Sequence, residues 1–380
     1  MKKIAFILLI CAFIVSCHKP ISVTIGNESG IELGERIVEI KGGDILKSLG
    51  SDYFYITDAA GREIPSQFTY DSLIIFPVDV RAGASEEYFF HASDTAHIYN
   101  IVVWGKIYPE RRDDVAYENQ LVGFRIYGPG TQKAGEKAFG YDLFLKYPSD
   151  SIIVPELYAP ETDPAVWAKV DSLRNISPEL ADEFINSFSY HIDHGKGFDP
   201  FAVGPTLGAG VAALMGNDTI AYPWCYESAE ILDNGPLRFT VALHFTSGEH
   251  RIISLDAYSY MNKCNVWFDG ISETETIVAG FPLRDDSEPY ASADAGIIAY
   301  SSPVSGEDSG RALLGIYSPE KFDSTFIKDN HILGASVLKP GKTYDYMWGF
   351  SWDKTEIPDM EQWIAYIRTL SARYTIEIHN

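Results

Sequence analysis

Short runs of alternating apolar residues, broken by Gly, Pro, Asn and Asp, constrain the fold of this chain more than any other feature. They lie at Arg238 to Phe245, Ile252 to Tyr260, Asn265 to Phe268, Ala295 to Tyr300, Ala312 to Tyr317 and Tyr344 to Trp352. A period of two sends successive side chains to opposite faces, so each run reads as a strand with one face for a core. A second series fills residues 20 to about 97, with Val23 and Ile25, Ile37 to Ile40, Tyr53 to Ile56, Leu73 to Phe76, and Tyr88 to Phe90. That spacing predicts a small β-sandwich without a helix. Helical periodicity is confined to two places. In 160–188, Val166, Trp167, Val170 and Leu173 share a face, and Ser177-Pro178-Glu179 reads as a helix start; Pro358 to Leu370 is the other. The expected class is mainly β. A large stacked-sheet β-sandwich spans 98–380 with a helical insert at 160–188. An N-terminal β-sandwich, or extra layer, covers 20–97.

The first seventeen residues read as an export signal. Lys2 and Lys3 precede an apolar run, Ile4 to Val15, that is too short to cross a bilayer. The run ends Ile14-Val15-Ser16-Cys17, the pattern of a bacterial lipobox, which predicts a signal peptide over 1–17 and lipidation of Cys17. Two acyl chains give stable anchoring, so the membrane is an expected partner through lipid. The chain carries 53 acidic against 30 basic residues, a net charge of −23. Phosphate backbones need a basic face, so nucleic acid is excluded as a general partner. Cys225 and Cys264 lie in a compartment that permits a disulfide, and both a bridge and two buried thiols fit the sequence.

Chemistry-bearing residues concentrate in two segments. The denser is Ser189-Tyr190-His191-Ile192-Asp193-His194-Gly195-Lys196-Gly197-Phe198-Asp199, which leads into a glycine-rich stretch ending at Gly210. Histidine titrates near neutrality, and a tyrosine can serve as an acid beside a cation. His191, His194 and Tyr190 are therefore candidate acid–base groups, with Lys196, Asp193 and Asp199 as substrate-binding candidates. A polar loop that bonds only its own backbone is an equal reading. As a strand, the segment would place His191 and His194 on opposite faces, so only one would reach a shared site. His191, Asp193, His194 and Asp199 also form a loose set of ligands for a divalent metal, at no standard spacing; no cofactor is otherwise expected.

The second segment holds Glu118 and Asn119, then Arg125 and Tyr127 before Gly128-Pro129. On a strand, Arg125 and Tyr127 share a face. Arg125 suits a uronate carboxylate, and a salt bridge inside the sandwich fits it at least as well; Tyr127 suits proton donation, and Glu118 and Asn119 are further substrate-binding candidates. Between Arg125 and Lys146 the bases Arg125, Lys133, Lys137 and Lys146 outnumber the acids, a basic island that Lys196 could join. The intervening glycines do not make a phosphate loop, since no Gly-Lys-Ser/Thr ending or following helix is read there.

Glu118-Asn119, the run Val122 to Pro129, Gly140-Tyr141-Asp142, and Tyr190-His191 through Gly210 together resemble the Bacteroidetes lipoprotein family known as domain of unknown function 4861. The resemblance implies a galactose-mutarotase-like supersandwich and an association with polysaccharide degradation. It also implies a place on the outer membrane facing the periplasm. The fold serves lyases, hydrolases, epimerases and binding domains, so it does not fix a reaction.

The leading expectation is a lyase acting on uronic-acid-containing oligo- or polysaccharides. β-Elimination needs a base, an acid and a neutraliser for the carboxylate. His191 or His194, Tyr190 or Tyr127, and Arg125 or Lys196 would fill these roles. A glycoside hydrolase is the alternative, drawing on Glu118, Asp142, Asp193, Asp199 and Glu227. A non-catalytic glycan-binding lipoprotein would use Trp104, Trp224, Trp267, Trp348 and Trp352 as stacking platforms.

Overall fold

Alternation is clearest in Glu249–Asp256, where Glu249, Arg251, Ile253 and Leu255 turn inward and His250, Ile252 and Ser254 turn partly outward. Its neighbour Arg238–His244 is buried on both faces, as a strand between two layers must be. These strands belong to an antiparallel eight-stranded sheet in the computed structural model, which describes residues 21–379. The expected signal peptide and Cys17 lie outside the described residues. Among the described residues no helix is long and apolar enough to cross a membrane.

The eight-stranded sheet runs in the order 228–234, 238–244, 249–256, 261–268, 344–352, 311–317, 297–303 and 290–292. A five-stranded sheet packs on it, in the order 219–221, 212–216, 275–282, 331–338 and 324–328. Another five-stranded sheet joins its first strands, in the order 197–198, 142–146, 123–126, 114–118 and 104–108. A single core unites the three, with Phe124, Tyr141, Phe239, Leu314 and Trp348 almost wholly buried. The mainly β, stacked-sheet class read from the sequence is therefore the class observed. Burial of this scale is what holds such a body together, at roughly 25 cal/mol per Å² of apolar surface.

The last helix, Met360–Thr369, falls within the expected Pro358–Leu370, and Asp359 caps it by accepting from the Gln362 amide. Trp363 and Ile367 rest on the eight-stranded sheet at Gly315, where a Cβ would come within 2.9 Å of both side chains. The glycine makes that contact possible.

Residues 21–97 form a second, smaller sandwich. The strands Ile21–Gly26, Tyr53–Asp58 and Ser85–Ser93 face Arg36–Lys41 and Leu73–Val78 across a core of Val23, Ile25, Ile56, Ile74, Phe76 and Phe90. Two features depart from the sequence reading. Gly42–Leu49 is a helix, too short at eight residues to show a period, ended by Gly50 in the left-handed conformation. The strand Thr375–His379 pairs along Ile21–Gly26, so the end of the chain returns to the first sandwich. That pairing covers an otherwise open sheet edge.

The helical insert starts earlier than 160. Its three helices are Val154–Thr162, Pro164–Arg174 and Pro178–Asn186, with Asp163 capping the second by accepting from Ala165. The connection at 128–135, read as helix-free, holds a single helical turn, Pro129–Lys133. Ser189 to Lys196 is a bent loop instead of a strand, and strand pairing resumes only at Gly197–Phe198. The two glycine-bearing motifs meet backbone to backbone, since a Cβ on Gly140 would lie 2.2 Å from the Gly208 nitrogen.

Candidate functional site

Arg125 and Asp142 are direct partners across antiparallel strands, which places them on one face of the sheet. Alternation adds Tyr127 to that face, and Ala116, opposite Arg125 on the other side, brings Asp114 two residues away. The loop after the helical insert then drops Asp199 onto the same guanidinium. Arg125 Nη1 is 3.1 Å from Asp199 Oδ2 and 3.6 Å from Asp142 Oδ2, while Nε is 3.1 Å from Asp114 Oδ2 without good hydrogen-bond alignment. All four charged side chains are buried. Arg125 also lies over the Tyr127 ring, 4.3 Å from its centre.

Three carboxyl groups around one guanidinium cannot all be ionised cheaply. Burial raises the Asp142 pKa to about 8, with the Asp199 charge adding to the rise and Arg125 opposing it. Burial likewise lifts Asp199 to about 6, and raises Asp114, against the pull of Arg125. The cluster is thus a buried carboxyl group that holds a proton near neutrality, the condition for a general acid. The Tyr127 hydroxyl donates to Asp142 Oδ2 at 2.6 Å.

Tyr127 is the member of the cluster that reaches a surface opening. The opening is narrow, about 20 Å³, and Phe139, Trp224 and Cys225 line it beside Tyr127. Trp224 is 63% exposed, and Phe139 packs against both Trp224 and Tyr222, at 6.1 and 5.7 Å between ring centres. Of the five tryptophans considered as platforms, Trp348 and Trp352 are core and Trp104 and Trp267 are half-buried, so Trp224 alone stands out into solvent.

The other end of the cluster lies under the helical insert. Arg111 donates to the Tyr190 hydroxyl at 2.5 Å and sits 4.7 Å from the ring centres of Tyr158 and Tyr190. Tyr190 is buried, its ring 4.1 Å from that of His191, and His191 Nδ1 is 2.7 Å from the Asp199 carbonyl oxygen. The segments 123–127 and 190–199 therefore meet. Tyr190, Arg125, Tyr127 and Asp199 are gathered, and His191 borders them. His194 is exposed, Asp193 accepts from the Tyr147 hydroxyl and the Gly195 amide, and Lys196 pairs with Glu156 on the surface.

Glu118 and Asn119 have other work. Glu118 Oε2 binds Lys146 at 2.7 Å, and Oε1 accepts from the amides of Ile153 and Val154 at the start of a helix. Asn119 accepts from Leu121 and Val122 and donates to the carbonyls of Asp256 and Ser259. The basic island also disperses. Arg125 and Lys146 are buried in ion pairs, while Lys133 and Lys137 point to solvent. Arg111, Asp114 and Tyr158 had no signal at the level of the sequence, because their relation to Arg125 exists only after the strands and the insert have packed.

Among the described residues no group of three or more His, Cys, Asp or Glu is placed to hold a metal ion. Asp199 turns inward to Arg125 while Asp193 and His194 stay outside, so the four loose ligand candidates are not brought together.

Cys225 and Cys264 are free thiols, which decides the question the sequence left open. Burial pushes them up to about 12 and about 11 respectively, away from the reactive thiolate. Peptide mapping after unfolding without reductant is expected to find both alkylated; a linked peptide pair would contradict this.

Across its length the chain is similar to "Uncharacterized protein P7" of Formosa agariphila, with 26% identity and 98% of each chain covered. Among solved structures it resembles an alpha-mannosidase from Enterococcus faecalis V583 and a protein in the glycosyl hydrolase family 38 from Enterococcus faecalis. Each likeness has 8% identity and a TM-score of 0.49 and covers 96% of this chain. The chain spans about half the length of those two proteins, 46% and 48%. The match to the family described as Domain of unknown function (DUF4861) runs over residues 25–378, and the chain belongs to that family.

Proposed function

We propose that this protein is a carbohydrate-active enzyme of the cell envelope, anchored by lipid at Cys17 and facing the periplasm, and that it cleaves an oligo- or polysaccharide by general acid–base catalysis. The observation that carries the reading is the Tyr127–Asp142 hydrogen bond. It links a buried carboxyl group of raised pKa to an opening beside an exposed tryptophan. A sugar ring stacked on Trp224 would bring its glycosidic oxygen toward the Tyr127 hydroxyl. Asp142 would then replace the proton that Tyr127 gives up to the leaving oxygen. Water entering the same opening would attack the anomeric carbon as the glycosidic bond breaks, and the water proton would return through Tyr127 to the Asp142 carboxylate.

Hydrolysis is favoured over β-elimination, because Arg125 is occupied by three aspartates and is not free to neutralise a uronate. β-Elimination remains the second reading on one observation. Arg284 lies within the field of Asp142, has no carboxylate at ion-pair distance among the described residues, and leaves its Nε without a partner. It could hold a uronate carboxylate.

One assay separates the readings. Incubation with a panel of neutral and uronate-containing oligosaccharides is expected to release reducing ends without ultraviolet absorbance. Unsaturated, ultraviolet-absorbing ends would establish the lyase instead. No product from any member would leave a binding protein and refute the catalytic reading. Trp224→Ala is expected to raise KM by about tenfold, the loss of one stacking contact of ~1.4 kcal/mol, with kcat nearly unchanged. An unchanged KM would remove Trp224 from the substrate path.

A further inference from the structure

A large cavity lies far along the chain from Tyr127, between the small sandwich, the eight-stranded sheet and the C-terminal helix. It encloses about 430 Å³ and is lined by Glu35, Arg36, Tyr258, Lys263, Tyr366 and Arg373, among others. Volumes of this order, at a junction between two cores, are those of ligand sites.

The deeply placed guanidinium groups at Arg125, Arg238 and Arg251 each face a carboxylate at short range. Arg36, like Arg284, does not. Its Nη1 donates to the carbonyls of Thr369 and Ala372, and Nη2 to the Thr369 hydroxyl, so it ties the end of the last helix to the small sandwich. Burial lowers its pKa, and only the tyrosines Tyr366 and Tyr374 oppose that shift. Arg373, on the same wall, is exposed and has no ion pair among the described residues. A partly desolvated guanidinium without an acid, beside a second free one, is built for an anion.

The opposite wall is held in place at a conformational cost. Tyr258 has a φ of 62°, a left-handed conformation that bulky residues avoid. Its turn is clamped from below. Asn119 Nδ2 donates to the carbonyls of Asp256 and Ser259, each at 2.7 Å, and Gln120 Oε1 accepts from the Tyr258 amide. The Asn119 motif read from the sequence as substrate-binding thus acts on this cavity through the turn that presents Tyr258.

We propose that this cavity binds a carboxylate-bearing saccharide, with Arg36 and Arg373 holding the carboxylate and Tyr258 packing on the sugar. Asn119 is a positioning residue for Tyr258. The lining balances three acids, Glu35, Glu39 and Asp256, against Arg36, Lys263 and Arg373, and Lys263 pairs with Glu39 and Asp256, so Arg36 and Arg373 are the cations left for a ligand. The site is separate from the Tyr127 opening and does not depend on the reaction proposed there.

The test is calorimetric titration of the purified chain with digalacturonate, dimannuronate and diglucuronate, with galactobiose as the neutral probe. At least one acidic disaccharide is expected to bind, with affinity falling as salt rises. Arg373→Ala is expected to weaken that binding by about tenfold with an unchanged melting temperature, since the residue is exposed. Trp224→Ala, which alters only the other opening, is expected to leave it intact. Binding of no acidic probe, equal binding of galactobiose, an unaffected Arg373→Ala, or loss of binding in Trp224→Ala would each overturn the assignment.

Discussion

Replacing Arg125 with leucine is expected to lower stability by about 3–5 kcal/mol at neutral pH, the range found when one partner of a buried ion pair is removed. The cause is less the lost attraction than what remains. Asp114, Asp142 and Asp199 all lie within 3.6 Å of that guanidinium and are buried. Without it they must take up protons or stay charged in a medium that solvates charge poorly. The sign of the pH dependence follows. A carboxyl group whose folded pKa is raised contributes stability that is complete below its unfolded value and is lost as pH rises through the folded value. Removing Arg125 raises all three groups further. The deficit of Arg125→Leu relative to the parent is therefore smallest near pH 4 and grows toward pH 8. Urea unfolding at about pH 4.5 and about pH 7.5 measures both ends. An equal deficit at the two values would mean that the carboxyl groups do not carry the effect.

Replacing Asp142 with asparagine, or Tyr127 with phenylalanine, is expected to lower kcat by about 10²–10⁴-fold on whichever oligosaccharide the panel identifies, the usual worth of a positioned acid–base group. The two variants differ in stability. Tyr127→Phe removes one hydroxyl, donated to Asp142 at 2.6 Å, and should cost about 1 kcal/mol. Asp142→Asn removes the group whose pKa burial raises most among the cluster's carboxyls. Its unfolding free energy should lose the decline that the parent shows as pH rises from about 4, the unfolded value, through about 8. Activity carries a matching signature. If protonated Asp142 supplies the proton, turnover falls as pH rises through about 8, and the fall disappears with the residue. A full-rate Tyr127→Phe enzyme would end the proposed proton path. A structural role alone for Asp142 would change its stability profile without altering the pH dependence of kcat.

Much of this site was legible in pieces. Strand alternation placed Arg125 and Tyr127 on one face, and they do stack. The density of titratable groups at 189–199 pointed to a segment that does reach Arg125, through Asp199. What misled was the exposed part of that segment. His194 and Lys196 are conspicuous in the sequence, yet the loop leaves them in solvent and buries Tyr190 and Asp199 instead. Lys146 and Glu118 looked available for a ligand, but they satisfy each other and the start of a helix. A charged residue in sequence carries no mark of whether its partner will be a substrate or a neighbouring strand.

Local patterning along the chain set the class of the fold. Period-two strands need a sheet, and apolar faces need a second sheet to cover them. It also determined the capped helices, because Asp163 and Asp359 act on residues only two or three positions away. Tertiary structure alone decided which charges meet. Asp114, Asp142 and Asp199 converge on Arg125 through strand register and the path of a loop, both of which are set by packing over distances that local patterns do not encode. It alone decided that the last strand returns to the first, and so created the cavity between the two sandwiches. Local propensity specifies elements because its interactions span a turn of backbone. A site is assembled by contacts far apart in the chain, and only burial of the whole surface fixes those.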